Sequence, residues 1–292
     1  MTAVSAATRP EPPAQRRLVH GRISLEFACD GNGRTYLGRQ YASYPFHVCK
    51  VQYYDADCPN LATLYAQSCA GGLYEDDQHR LELTARSGAE AHFTTQASTI
   101  VHSMPAGRAR QDMRITAESS AYLEYLPDPQ ILFPHSNLAS TIRIAMASDA
   151  TVLVSDSFMG HDPQRMGGLP DSYESEIVIE DAGGRKLAID RLRLASHAFK
   201  ARTPGIMGAF NAHGTILVAT RNPLAAAVQT AGRGLDFDYG EAAIGVSALP
   251  NSAGLVFRVL AQDGVALKRA MYACWSSARL ALRGSAPAMR RK

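Results

Sequence analysis

Chemistry in this chain would have to come from scattered carboxylates and imidazoles. Nine histidines stand singly along 292 residues, at His20, His47, His79, His92, His102, His135, His161, His197 and His213. No two fall at the i, i+4 spacing that puts paired metal ligands on one helical face. Two short runs bring imidazole and carboxylate together, Asp76-Asp77-Gln78-His79 and Gly160-His161-Asp162. Either offers nitrogen and oxygen to a borderline cation such as nickel or zinc, although on spacing alone each reads first as a polar turn with a surface histidine. The five cysteines, Cys29, Cys49, Cys58, Cys69 and Cys274, include no Cys-x-x-Cys pair, so zinc-knuckle and thioredoxin-type spacings are both missing. An odd number without a secretory leader points to reduced, buried structural thiols in the cytoplasm. There is no Gly-x-Ser-x-Gly elbow, no His-Glu-x-x-His and no phosphate loop ending in Gly-Lys-Ser/Thr. Gly31-Asn32-Gly33 lacks the third glycine of a dinucleotide fingerprint and reads as a hairpin turn. These absences leave open a catalytic group assembled in space from distant residues.

Whatever chemistry there is must be positioned by strands. Ile23, Leu25 and Phe27 alternate with Arg22, Ser24 and Glu26, Leu81 and Leu83 flank Glu82, and Ile142 and Ile144 flank Arg143. Period-two alternation turns one face of a strand to a core and the other to water. Short apolar runs at Thr151–Val154, Leu187–Ile189, Thr215–Ala219 and Leu255–Leu260, punctuated by turns such as Ala182-Gly183-Gly184, predict a mainly β protein. Two helices are expected besides. Leu267, Met271, Cys274, Trp275, Ala278 and Leu282 form one apolar stripe between Asp263 and Gly284, and Asn222-Pro223 opens a short helix over 225–230.

Residues 1–17, with three prolines and little apolar content, read as a disordered arm, and 286–292 as a basic tail that frays. Residues 18–285 form a single domain, since no linker divides them. The composition, 46% hydrophobic and 20% charged, is that of a globular protein. A formal charge of +3 is too weak to imply nucleic acid, and no apolar run reaches the ~18 residues of a membrane span.

Three ordered stretches carry a resemblance: Gly71-Gly72-Leu73-Tyr74-Glu75-Asp76-Asp77, then Ser87 to Ser98 ending in Thr-Thr-Gln-Ala-Ser, then Ala121 to Phe133 containing Glu-Tyr-Leu-Pro-Asp-Pro-Gln-Ile-Leu-Phe. With Ile189-Asp190-Arg191-Leu192 and the Trp275/Arg279 helix, they make the chain similar to the urease accessory protein D family (UreD, also called UreH). The resemblance implies a single domain of stacked, β-helix-like sheet layers with two α-helices. It implies a cytoplasmic scaffold or metallochaperone rather than an enzyme, needed to insert nickel into apo-urease. The implied partners are apo-urease, UreF and, through UreF, the GTP-binding UreG, with no nucleic acid and no membrane. Ni(2+) would pass transiently along an internal polar channel, with no permanently bound cofactor.

By position, Asp77, Ser98 and Asp190 match polar residues of the family, and Asp156 falls at or next to another acidic one. The resemblance makes these four the candidate channel residues, with His79, His102 and His161 as additional nickel ligands. Each carboxylate also reads as a turn or strand-end group, Asp190 pairing with Arg191 or Arg193. Gly71 and Gly72 suit a sharp bend where strands pack closely, and Pro127 and Pro129 a corner or edge that cannot enter a central ladder. Where the family pattern has Gly-Gly-Asp, a lysine-aromatic run and a Gly-Arg turn, this chain has Glu75-Asp76-Asp77, Thr99 to His102 and Gly160-His161-Asp162. A hydrolase or other small-molecule enzyme on a β scaffold is the alternative reading.

Overall fold

The computed structural model describes residues 20–203, 206–236 and 240–290. The arm expected over 1–17 lies outside the described residues, as do the last two residues of the chain. Strand β1 (His20–Cys29) turns at Asp30, whose carboxylate accepts the N–H groups of Asn32 and Arg34, into its antiparallel partner β2 (Thr35–Ala42). Ile23, Leu25 and Phe27 face inward from β1, as the alternation requires.

From there the chain coils between two sheets. Strands β3 (Phe46–Val48), β4 (Ala62–Ser68), β6 (Glu90–Thr95), β7 (Ile100–Val101), β9 (Tyr122–Tyr125), β10 (Gln130–Leu132) and β12 (Thr151–Gly160) enter the larger sheet. Between them, β5 (Gln78–Ala85), β8 (Ala109–Ala117), β11 (Asn137–Met146) and β13 (Ser172–Asp181) join β1 in the other, with β14 (Lys186–Ala195) at its edge. Successive strands pair in parallel within each sheet, β1-β5-β8-β11-β13 on one side and β4-β6-β9-β12 on the other. The result is a stack of coils, solenoid-like as the resemblance implied. Antiparallel strands β15 (Ala212–Thr220), β16 (Ala242–Ala248) and β17 (Gly254–Ala261) then extend the larger sheet in the order β12-β15-β17-β16 and end the stacking.

The helices are α1 (Ser196–Ala201), α2 (Ala225–Arg233) and α3 (Gly264–Arg283). Helix α3 starts where Asp263 accepts the Val265 and Ala266 N–H groups, and stops at Gly284 in the left-handed conformation, the two punctuation points read from sequence. The six-residue α1 was not expected. It is too short to show a 3.6-residue stripe and buries only Ala198 and Phe199.

Two apolar clusters fill the space between the sheets. One contains Ile142, Ile177, Val154 and Leu217, the other Leu138, Tyr173, Phe158 and Leu194. A third lies outside the larger sheet, where Leu267, Ala270, Cys274 and Trp275 of α3 pack on Leu153, Ile216 and Phe257. Full burial of each Ile, Leu or Phe contributes ~1.5–3 kcal/mol, so these clusters dominate the favourable side of folding. The thiols differ from expectation: Cys58 and Cys274 are buried, Cys29 and Cys49 half-buried and Cys69 exposed, all five unbridged. Cys69 follows β4 and is clear of every apolar cluster.

Candidate functional site: a polar belt between the sheets

The two inner clusters are parted by a layer of polar side chains. Strand pairing places His79 beside Gln111, Gln111 beside Ser140 and Ser140 beside Ser175, one row across β5, β8, β11 and β13. Because side chains alternate along a strand, this row shares its face with the apolar residues two positions away. Leu138 and Ile142 flank Ser140, and Tyr173 and Ile177 flank Ser175, each pair divided between the two clusters. On the opposing sheet Asp156, Thr215 and Arg258 are cross-strand neighbours on β12, β15 and β17. Val154 and Phe158 flank Asp156 in the same way.

Side-chain hydrogen bonds bridge the sheets at this level. Gln130 donates to Gln111 at 2.9 Å, and the Tyr173 hydroxyl donates to Asp156 at 2.6 Å. Arg258 grips both oxygens of Asp190, at 2.9 Å through Nη1, and the same Nη1 donates to Thr215 at 2.9 Å. A cavity of about 30 Å3, the size of one water, is bounded by Gln111, Gln130, Ser140 and Asp156. At the β14 end a cleft of about 780 Å3 opens beside Arg258, His213, Glu174 and Arg193.

Burial sets the electrostatics. It pushes the Asp156 carboxyl up, with the nearby Asp190 adding to the rise, while Tyr173 and Ser175 partly offset it by hydrogen bonding. His79 is 4% exposed, leaves Nε2 without a partner, and is pulled down to about 4 by burial. His213 is 7% exposed, leaves Nδ1 without a partner, and is also pulled down to about 4, by burial and then by Arg258. Both imidazoles are therefore neutral at neutral pH and carry an uncommitted nitrogen. Phe46 meets His79 edge-on at 4.7 Å, and Phe158 stacks on His213 at 5.5 Å.

The sequence-predicted residues fall in several places. Asp156, Asp190 and His79 belong to the belt. Asp190 pairs with Arg258 and not with Arg191 or Arg193, because strand neighbours point to opposite faces: Asp190 faces in, and Arg191 and Arg193 are exposed. Asp77 is buried in the turn before β5, where its carboxylate accepts the Tyr74 N–H at 2.8 Å. Three strands separate β5 from the β14 that carries Asp190. His102 stacks on Tyr74 at 4.2 Å with its Nε2 3.0 Å from the Gly71 carbonyl. Gly72 has φ +141°, and a Cβ there would lie 2.3 Å from the Ile100 carbonyl, so the close approach demands glycine. Ser98 is half-buried between β6 and β7, and His161 is exposed beside Phe133. Pro127 and Pro129 occupy the corner between β9 and β10, with Pro127 against the small cavity.

Sequence reasoning missed Arg258 and His213. The signal for Arg258 was present, a lone arginine in the apolar run Leu255 to Leu260. It also missed a second polar group outside the larger sheet, beneath α3. Glu124, fully buried, accepts Tyr122 Oη at 2.6 Å, His92 Nδ1 at 2.7 Å and Trp275 Nε1 at 2.9 Å. Arg279 lies 2.6 Å from Asp55 and 3.7 Å from Glu124. Burial opposes the Glu124 charge, but His92, Arg279 and Trp275 outweigh it and hold the carboxyl at about 2. Within the tail expected over 286–292, Pro287 accepts from Tyr272 at 3.1 Å and Arg290 donates to Leu126 O at 2.9 Å. The Arg290 guanidinium lies 4.8 Å from the centre of the Trp275 ring.

Among the described residues no three His, Cys, Asp or Glu side chains converge to hold a metal ion. The belt offers spaced, weak oxygen and nitrogen donors, which suit brief contact with a cation better than storage. No helix among the described residues is long and apolar enough to cross a membrane.

Fold and site together define a solenoid-like β scaffold with a polar layer through its core. The chain belongs to the UreD urease accessory protein family, whose model matches residues 19–292. It is 38% identical over 282 residues to urease accessory protein UreD 1 of Pseudomonas syringae pv. syringae, covering 96% of this chain and 97% of that one. Against the protein of the same name from Methylorubrum extorquens it is 40% identical over 290 residues, covering 98% and 95%. The Methylorubrum populi protein is 38% identical, covering 99% of this chain and 100% of its own. The family role is accessory to urease, in the maturation of that enzyme.

Proposed function

We propose that this chain is a non-enzymatic cytoplasmic scaffold that passes Ni(2+), as cargo, into apo-urease along the belt between its sheets. UreF and, through it, GTP-binding UreG are the partners that family resemblance supplies. The single observation that carries the reading is Asp156, an acid buried between apolar clusters beside a cavity, with its carboxyl group raised by that burial. A buried anion with incomplete compensation attracts a cation. Asp190 continues the path toward the cleft, and His79 and Asp77 lie on and just before β5, across three intervening strands of the same sheet. No cofactor is resident in this reading, since ligands that hold a metal too well would not release it.

The test is urease activation at limiting nickel in cells carrying the full set of accessory proteins. Asp156→Asn keeps an oxygen acceptor for Tyr173 and removes the charge. Urease purified beside it should contain several-fold less nickel than beside the parent chain, at equal accessory-protein level. Fully loaded urease with Asp156→Asn and Asp190→Asn combined would overturn the route.

A further inference from the structure

A fixed positive charge already sits on the path that a travelling cation would take. Arg258 binds both carboxylate oxygens of Asp190 and is tethered by Thr215. A guanidinium and a divalent ion compete for the same carboxylate oxygens, so both cannot hold Asp190 at once. The arginine is also placed to leave. Its side chain is 40% exposed, against 15% for Asp190, so water can take up its charge at the cleft. Directly across the strand pair stands Gly245, and a Cβ built there meets nothing within 4 Å. Open space therefore lies beside the base of the arginine side chain, on the face that carries it.

The second observation is His213. It is two residues from Thr215, on the same face of β15, and lines the same cleft as Arg258. Its Nδ1 is buried without a partner. A buried polar atom left unpaired is costly, and one beside a carboxylate and an open cleft has the chemistry of a nitrogen ligand. We propose that Arg258 is the gate of the belt: it neutralises Asp190 while the route is empty, and on releasing it lets a divalent cation pass to the unpartnered Nδ1 of His213 at the cleft. The proposal rests on the route reading above and names the residues that control its mouth.

Binding of Ni(2+) alone to the full chain, followed by calorimetry, separates the two ideas. Arg258→Gln removes the competing charge and should tighten nickel binding by about tenfold or more, whereas Arg258→Lys should stay near the parent. Adding His213→Phe, which keeps a ring against Phe158, should abolish the gain. A folded Arg258→Gln protein with unchanged nickel affinity overturns the gate, and so does a gain that survives His213→Phe. Should Arg258→Gln fail to fold, Thr215→Val, which loosens the guanidinium and leaves the ion pair, should tighten binding by about threefold, and no change there overturns the gate. Reduced urease nickel in Asp156→Asn with no gain in Arg258→Gln removes the gate and keeps the route. Tighter binding in Arg258→Gln with fully loaded urease in the combined Asp156→Asn and Asp190→Asn variant removes the route and with it the gate's role in transfer.

Discussion

Among the described residues a buried polar group lies on each face of the larger sheet, and the two are built to different rules. Beneath α3, Glu124 takes a hydrogen bond from each of Tyr122, His92 and Trp275, supplied by two strands and a helix, with Arg279 and Asp55 balancing charge behind it. Between the sheets, Asp156 is left with a raised carboxyl, two imidazoles keep a free nitrogen, and Asp190 is held by an arginine that reaches water. His92 Nε2 and Arg279 Nε in the first group also lack hydrogen-bond partners, so the difference lies in the carboxylates: the one compensated by donors and charge fixes geometry, and the one left under-compensated is available to something else. The first fastens α3 to the stack. The second is the part of the molecule with chemistry to spare.

The sharpest way to break this contrast is to damage each group in turn. Glu124→Ala leaves three buried donors without their acceptor and Arg279 with Asp55 alone, and should cost about 3–5 kcal/mol by denaturant unfolding. A loss below about 1 kcal/mol would mean that the group is not structural.

Acid should discriminate between them next. His79 and His213 titrate near 4 in the folded chain against an ordinary 6.5, so below pH 6.5 the unfolded chain takes up protons that the folded one refuses. Their stabilisation is complete above about pH 6.5 and drains as pH falls toward 4, by about 3 kcal/mol for each residue. Glu124, lowered from 4.5 to about 2, keeps its contribution above 4.5 and loses it only at lower pH. Asp156, being raised, has the opposite sign and contributes most below its ordinary value of 3.8. His79→Phe should flatten the unfolding profile between pH 6.5 and 4, and an unchanged slope would remove His79 from the buried, neutral set.

The smallest effect is expected at Asp156 itself. Asparagine preserves an acceptor for Tyr173, so Asp156→Asn should move stability by about 1 kcal/mol or less even though it cuts nickel transfer. A loss of several kcal/mol would place Asp156 with Glu124 as a structural group.

Local patterns were legible in the chain, and long-range register was not. Ile23, Leu25 and Phe27 announced β1, and Asp263 with Gly284 bracketed α3, because each signal lies within one element. Asp156 and Asp190 were reached through family resemblance, which carries positions without contacts. The row His79, Gln111, Ser140, Ser175 is assembled from coils roughly thirty residues apart, a spacing set by how turns stack and not by any neighbour in sequence. Glu124 stood inside a quoted motif, yet its strand is buried on both faces, so alternation could not say which side it served.

Trp275 is the single tryptophan in the sequence, 4% exposed, with the His92 ring stacked at 4.9 Å on it and Arg290 close by. The molecule thus carries one built-in optical reporter, seated where the last helix, the layered body and the chain end meet. Its emission colour reads the detachment of α3 or the lifting of Arg290 without any label, and it leaves events confined to the space between the sheets dark.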